Sequence, residues 1–146
     1  MDEMTLGVAA LESAPLFAGL DREHLESILR VGHRVSFAPG QAIVEWGDPG
    51  DAMYIILSGV AEVDVGGRFH RLEPGNFFGE MAVIAGKRRM ATVKAAEPVE
   101  ALRIPADDLQ AFLLQQPQVA LAMLRSLVER LREVEDRIDT WIGGVW

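Results

Sequence analysis

The chain has 146 residues, 49% of them hydrophobic, no cysteine, and a formal net charge of −8 from 14 basic against 22 acidic side chains. That size and apolar content suit a single domain, residues 1–146, with a real core. The missing cysteines exclude a disulfide framework, a thiolate metal site and a cysteine nucleophile, and the acidic balance argues against nucleic-acid binding, which rewards clustered Lys and Arg.

In chain order, residues 1–12 read as a loosely attached acidic start. Asp21 is placed to cap a short helix whose Leu25, Ile28 and Leu29 share one face. From about residue 30 to 105 the pattern becomes short segments divided by turns, with strands expected at 34–37, 42–45, 53–57, 59–65, 68–72, 92–95 and 99–104. Gly66-Gly67 is a two-residue hairpin turn. Short strands at this spacing indicate a sandwich or jelly roll. A further helix runs from Pro105 to near Gln116, and Pro117 opens a last helix over 117–142. In that helix Ala120, Leu124, Leu127, Leu131, Val134, Ile138 and Trp141 repeat at alternating steps of four and three, the seam of a two-stranded coiled coil. This predicts a homodimer through the C-terminal helix, with packing of the seam on the β-roll as the alternative; Leu121 and Val128, beside the seam, are expected to face the roll. The longest apolar run, residues 53–57, is far below the roughly 18–20 residues that span a bilayer. The Met-Asp-Glu start lacks a signal-peptide pattern. A cytoplasmic chain without a membrane span is expected.

The chemistry concentrates in residues 77–93, FFGEMAVIAGKRRMATV. Gly79 lets a ligand approach the backbone at the start of a short helix, where unsatisfied N–H groups attract anions. Arg89 offers a planar fork for a phosphate, and Glu80, acceptor-only when ionised, suits a sugar hydroxyl. One carboxylate for a ribose and one guanidinium for a singly charged phosphodiester describe a cyclic nucleotide.

This stretch resembles the phosphate-binding cassette of cyclic nucleotide-binding domains, found in catabolite-activator-type regulators, regulatory subunits of cyclic nucleotide-dependent kinases and gated channels. The resemblance extends upstream through PLFAGLDREHLESIL (15–29) and FAPGQAIVEWGDPGDAMYIILSGVAEV (37–63), so it covers nearly the whole chain. It implies an α+β fold: an eight-stranded antiparallel β-sandwich or jelly roll (a double-stranded β-helix) with a short N-terminal and a long C-terminal helix. It implies a non-catalytic sensor whose ligand is held by Phe78, Gly79, Glu80, Met81, Ala82, Arg89 and Met90, with no metal and no cofactor. Met90 stands where relatives carry a small or hydroxyl residue linked with guanine preference, which favours cAMP over cGMP. Relatives of the activator type contact adenine through hydroxyls of the last helix; the matching region here is 131–136, where Glu135 and Asp136 are the candidate base contacts. A chain complete at Trp146 is expected to lack the DNA-reading half of such a regulator, and so to have no nucleic-acid partner.

Two other readings bear on the same residues. One is an interaction and dimerisation module with a vestigial nucleotide site. The other is a sensor of another small ligand such as haem, for which His70 is the candidate. A His-x-His metal cluster and a nucleophile elbow are both absent from the sequence.

Overall fold

The computed structural model describes residues 3–14, 17–65 and 67–142, with side chains described from Met4 to Glu133. The elements are α1 (Glu3–Glu12), α2 (Arg22–Val31), β1 (His33–Phe37), β2 (Ala42–Val44), β3 (Ala52–Ser58), β4 (Ala61–Val65), β5 (Arg68–Leu72), β6 (Phe77–Phe78), α3 (Glu80–Ala85), β7 (Thr92–Ala95), β8 (Val99–Pro105), α4 (Ala106–Gln115) and α5 (Pro117–Ile142). Two antiparallel four-stranded sheets, ordered β1-β8-β3-β6 and β2-β7-β4-β5, form the jelly roll.

The β1-β8-β3-β6 sheet is apolar on both faces, and β3 shows why. Ala52, Tyr54 and Ile56 point into a cluster between the sheets, while Met53, Ile55 and Leu57 point into a cluster shared with the helices. A strand buried on both faces reads as an unbroken apolar run, as residues 53–57 do. The same alternation splits β6: Phe77 joins the helix-side core, and Phe78 stacks on Tyr54 between the sheets at 5.2 Å. Two residues are too few to show a period, so this eighth strand was not among the segments expected from the sequence.

The N-terminal expectation needs correcting. Residues 3–12 form a helix, and Val8 and Leu11 are fully buried with Leu25, Ile28 and Leu29 of α2. Ala14 then packs on Gly75, where an added Cβ would lie 2.3 Å from the Ala14 Cβ. Asp21 caps α2 as expected, accepting from the His24 amide at 3.0 Å.

The face that α5 turns to the roll also differs from expectation. Val119, Ala122 and Met123 are buried, and Leu127 packs partly against the core. Leu121 and Val128, expected to face the roll, are exposed together with Leu124 and Leu131. Of the expected seam, Leu127 therefore belongs to the domain itself; Val134, Ile138 and Trp141 have side chains outside the described residues.

Candidate functional site

The site is assembled where β6 runs into α3. Gly79, at φ +86°, is the N-cap of α3, a left-handed conformation that an L side chain adopts only at a cost. It also has no room for one: a Cβ there would lie 2.4 Å from Nη1 of Arg89 and 3.1 Å from the Ala52 carbonyl. Glu80 follows, its side chain buried in the first turn of the helix.

Arg89 is 96% buried beneath this turn. Its Nη1 donates to the Gly79 carbonyl at 3.1 Å. Its Nη2 donates to the Ala52 carbonyl at 2.6 Å and to Asp51 at 3.3 Å. Asp51 in turn accepts from Arg103 at 3.2 Å, which joins the end of β8 to the same network. The Arg89 Nε is buried with no hydrogen-bond partner among the described residues.

Glu80 does not pair directly with Arg89. Its carboxylate accepts from Nη1 of Arg130, on α5, at 3.2 Å. Arg130 also donates to the Phe77 carbonyl at 3.3 Å and lies over the Phe77 ring, 4.6 Å from its centre. One arginine thus fastens the long helix to the carboxylate, the backbone and the aromatic ring of the cassette, the last as a cation–π contact. Burial pushes the Glu80 carboxyl above the usual glutamate range, against the opposing pull of its own amide, Arg130 and Arg89. A carboxyl whose folded-state pKa is raised binds its proton more tightly when folded, so its contribution to stability is full below the unfolded value and is lost as pH rises through the folded one. We therefore expect stability to fall across that window in the wild type and the slope to flatten in Glu80→Gln. Urea unfolding at a series of pH values measures it, and parallel curves for the two proteins would contradict it.

A cavity of about 680 Å3 opens over these groups, within the range that holds small ligands. Phe78, Gly79, Glu80, Met81, Ala82 and Met90 all line it. Met81 and Met90 are exposed at its mouth, and Ala82 is buried in its wall. Arg89 is not in the lining; it lies behind Gly79. The basic side chains that face the cavity from the same run are Lys87 and Arg88, and Arg88 donates to the Gly47 carbonyl at 2.9 Å. Glu135 and Asp136 have side chains outside the described residues. The sequence reading missed Arg130 and Glu133, which bring α5 into the cavity wall. The signal for them was weak, because charged residues on a helix ordinarily mark its solvated face. His70 reaches the cavity from β5. Among the described residues no group of three or more His, Cys, Asp or Glu is arranged to hold a metal, and no helix is long and apolar enough to cross a membrane.

Comparison with known proteins gives the same region a family. Residues 34–116 match the model of the cyclic nucleotide-binding domain. The chain is 35% identical over 118 residues to a cyclic nucleotide-gated potassium channel of Mesorhizobium japonicum, covering 81% of this chain and 33% of the channel. It is 32% identical over 135 residues to the cyclic AMP receptor protein of Thermus thermophilus, covering 88% of this chain and 62% of the receptor. The crystal structure of the Thermus thermophilus catabolite activator protein superposes with a TM-score of 0.78 at 32% identity, over 88% of this chain and 63% of that one. The chain thus spans from a third to just over six-tenths of these relatives.

Proposed function

Because the chain belongs to the cyclic nucleotide-binding domain family, we propose that its cavity receives a cyclic nucleoside monophosphate and that the domain is a non-catalytic cytoplasmic sensor. The observation that carries this reading is the state of Arg89. A guanidinium is buried against the glycine at the N-terminus of α3, with both terminal nitrogens matched and Nε unmatched among the described residues. A buried donor without a partner is costly, and such groups need an explanation. A cyclic phosphate seated on Gly79 and the first turn of α3 supplies an acceptor for Arg89, while the amides of Met81 and Ala82 contribute the positive end of the turn. Glu80 then accepts from the ribose 2′-OH, Phe78 and Ala82 wall the sugar, and Met90 covers the phosphate from the mouth. Calorimetric titration with cAMP and cGMP tests the reading. We expect a micromolar dissociation constant for at least one of them, and no heat with either at millimolar concentration would overturn it.

The readout we propose runs through α5. The ribose and Arg130 both seek the Glu80 carboxylate, so a ligand changes the hold of the cassette on the helix. It shifts the helix only by as much as its affinity differs between the two arrangements. The exposed stripe on that helix, Leu121, Leu124, Val128 and Leu131, steps by three, four and three residues and suits a coiled-coil contact with a second copy. We expect wild type to sediment as a dimer, and Leu124→Lys/Leu131→Lys as a monomer with an unchanged melting temperature. Wild type running as a 16.0 kDa monomer at tens of micromolar, with and without nucleotide, would end the dimer proposal.

A further inference from the structure

We propose that Met81 and Met90 form a modification site, at which a peroxide converts the two thioethers to sulfoxides and lowers the affinity for nucleotide. The effect on affinity rests on the cyclic nucleotide reading above; the placement of the two sulfurs does not. With no cysteine in the chain, methionine is the one sulfur side chain open to oxidation. Burial sorts the methionines into two groups. Met53 and Met123 are 3% and 5% exposed in the helix-side core, and Met4 packs against that core. Met81 and Met90 are 63% and 70% exposed, and both line the same cavity. Among the described residues, the methionines most open to an oxidant in water thus both stand at the candidate ligand site.

Two separate segments carry them there. Met81 lies in the first turn of α3, next to Glu80. Met90 follows Arg89, whose amide donates to the Asp48 carbonyl at 2.8 Å and whose carbonyl accepts from the Gly47 amide at 2.9 Å. Those bonds pin the backbone beside Met90, so its unbranched side chain swings over the mouth of the cavity. A core role accounts for neither side chain, since each leaves most of its surface in water.

The step is a two-electron oxygen transfer. The sulfur lone pair attacks one oxygen of hydrogen peroxide, and the S–O bond forms as the O–O bond breaks. The proton on the transferred oxygen passes to the departing hydroxide, which leaves as water. Sulfur is oxidised, the peroxide is reduced, and no third reactant is needed. The product exchanges a flexible apolar side chain for a polar one. Its oxygen carries partial negative charge and accepts hydrogen bonds far better than a thioether does. At the mouth it acts against an anionic ligand in two ways. It repels the phosphate that Met90 covers, and it offers the Lys87 and Arg88 side chains, which face the same cavity, an acceptor in place of the ligand.

The test exposes the folded protein to dilute hydrogen peroxide, with and without saturating cAMP or cGMP, and maps oxygen uptake by peptide mass spectrometry. We expect Met81 and Met90 to gain one oxygen each before Met53 and Met123 react, and bound nucleotide to slow the gain. Affinity is then titrated before and after treatment in wild type and in Met81→Leu/Met90→Leu, each protein against its own untreated sample. Wild type should lose about tenfold, as the loss of one hydrogen-bond-sized contact gives, and the leucine variant less than about twofold. The two methionine sulfoxide reductases, each acting on one sulfoxide epimer, should restore wild type. Its melting temperature should stay constant throughout, because the core methionines are spared. If oxidised wild type binds as tightly as before, if the leucine variant loses as much, or if Met53 and Met123 oxidise as fast, the proposal falls while the cyclic nucleotide reading stands. If neither nucleotide binds untreated wild type, both readings fall.

Discussion

Arg89→Ala is expected to reduce nucleotide affinity about ten- to a hundredfold and to destabilise the fold in the same step. The affinity loss follows from the proposed contact, since charge-assisted bonds to a partly desolvated phosphate are worth about 1.5–3 kcal/mol each. The stability loss follows from what Arg89 already does without ligand. It satisfies the Gly79 and Ala52 carbonyls, which close the turn before α3 and the start of β3. The Gly79 carbonyl keeps the Val83 amide as a donor at 3.4 Å, so the larger loss is at the buried Ala52 carbonyl, where an unmatched acceptor costs about 1–3 kcal/mol. Arg89→Lys keeps the charge but cannot span both carbonyls and Asp51, so it should recover part of the affinity and less of the stability. Titration and urea unfolding of the two variants separate the effects. Arg88→Ala, which removes an exposed side chain, should move both quantities much less. If Arg88→Ala instead abolishes binding while Arg89→Ala leaves it intact, the phosphate sits at the cavity mouth and Arg89 is only a brace.

Phe77→Ala should cost about 3–5 kcal/mol, the usual range for deleting a buried aromatic ring. Phe77 is 1% exposed and belongs to the core shared by β3, β8 and five helices. At about 2–4 °C per kcal/mol for a chain near this size, the melting temperature should drop by about 10 °C. The ring is also the surface on which Arg130 lies, so its removal loosens α5 as well. Phe77→Leu keeps most of the volume and discards the cation–π contact. It should therefore retain most of the stability while still weakening the tie between Glu80 and the helix. A Phe77→Ala protein that melts within 2–3 °C of wild type would show that helix packing elsewhere carries the domain.

What the sequence disclosed and what it withheld divide along physical lines. The apolar run at 53–57 and the turns that flank it were legible because a doubly buried strand needs every side chain to be apolar. The capping of α2 by Asp21 was legible because it depends on one side chain and a nearby amide. α1 was not, since its buried Val8 and Leu11 sit among alanines and acids that give little amphipathic contrast. α5 carries overlapping apolar rows, and periodicity alone does not tell which one meets the roll; the structure gives that place to Val119, Ala122, Met123 and Leu127. Of the candidate site residues picked out by local chemistry, Gly79 and Glu80 line the cavity and Arg89 lies behind Gly79. The partnership of Glu80 with Arg130 spans 50 positions and depends on where α5 crosses the cassette, which no local pattern encodes.

The helix-side core has a consequence for how such a module travels between proteins. The matched segment, 34–116, holds all eight strands except the first residue of β1, yet half the described residues of that core lie outside it. Val8, Leu11, Phe17, Leu25 and Ile28 come from before the segment, and Val119 and Met123 from after it. A roll excised at those bounds would carry an uncovered apolar sheet into its new host and should aggregate rather than sense anything. The unit of inheritance is therefore the roll together with its flanking helices. One of those helices, α5, also holds the Glu80 carboxylate through Arg130, so an excised roll would lose that tie as well.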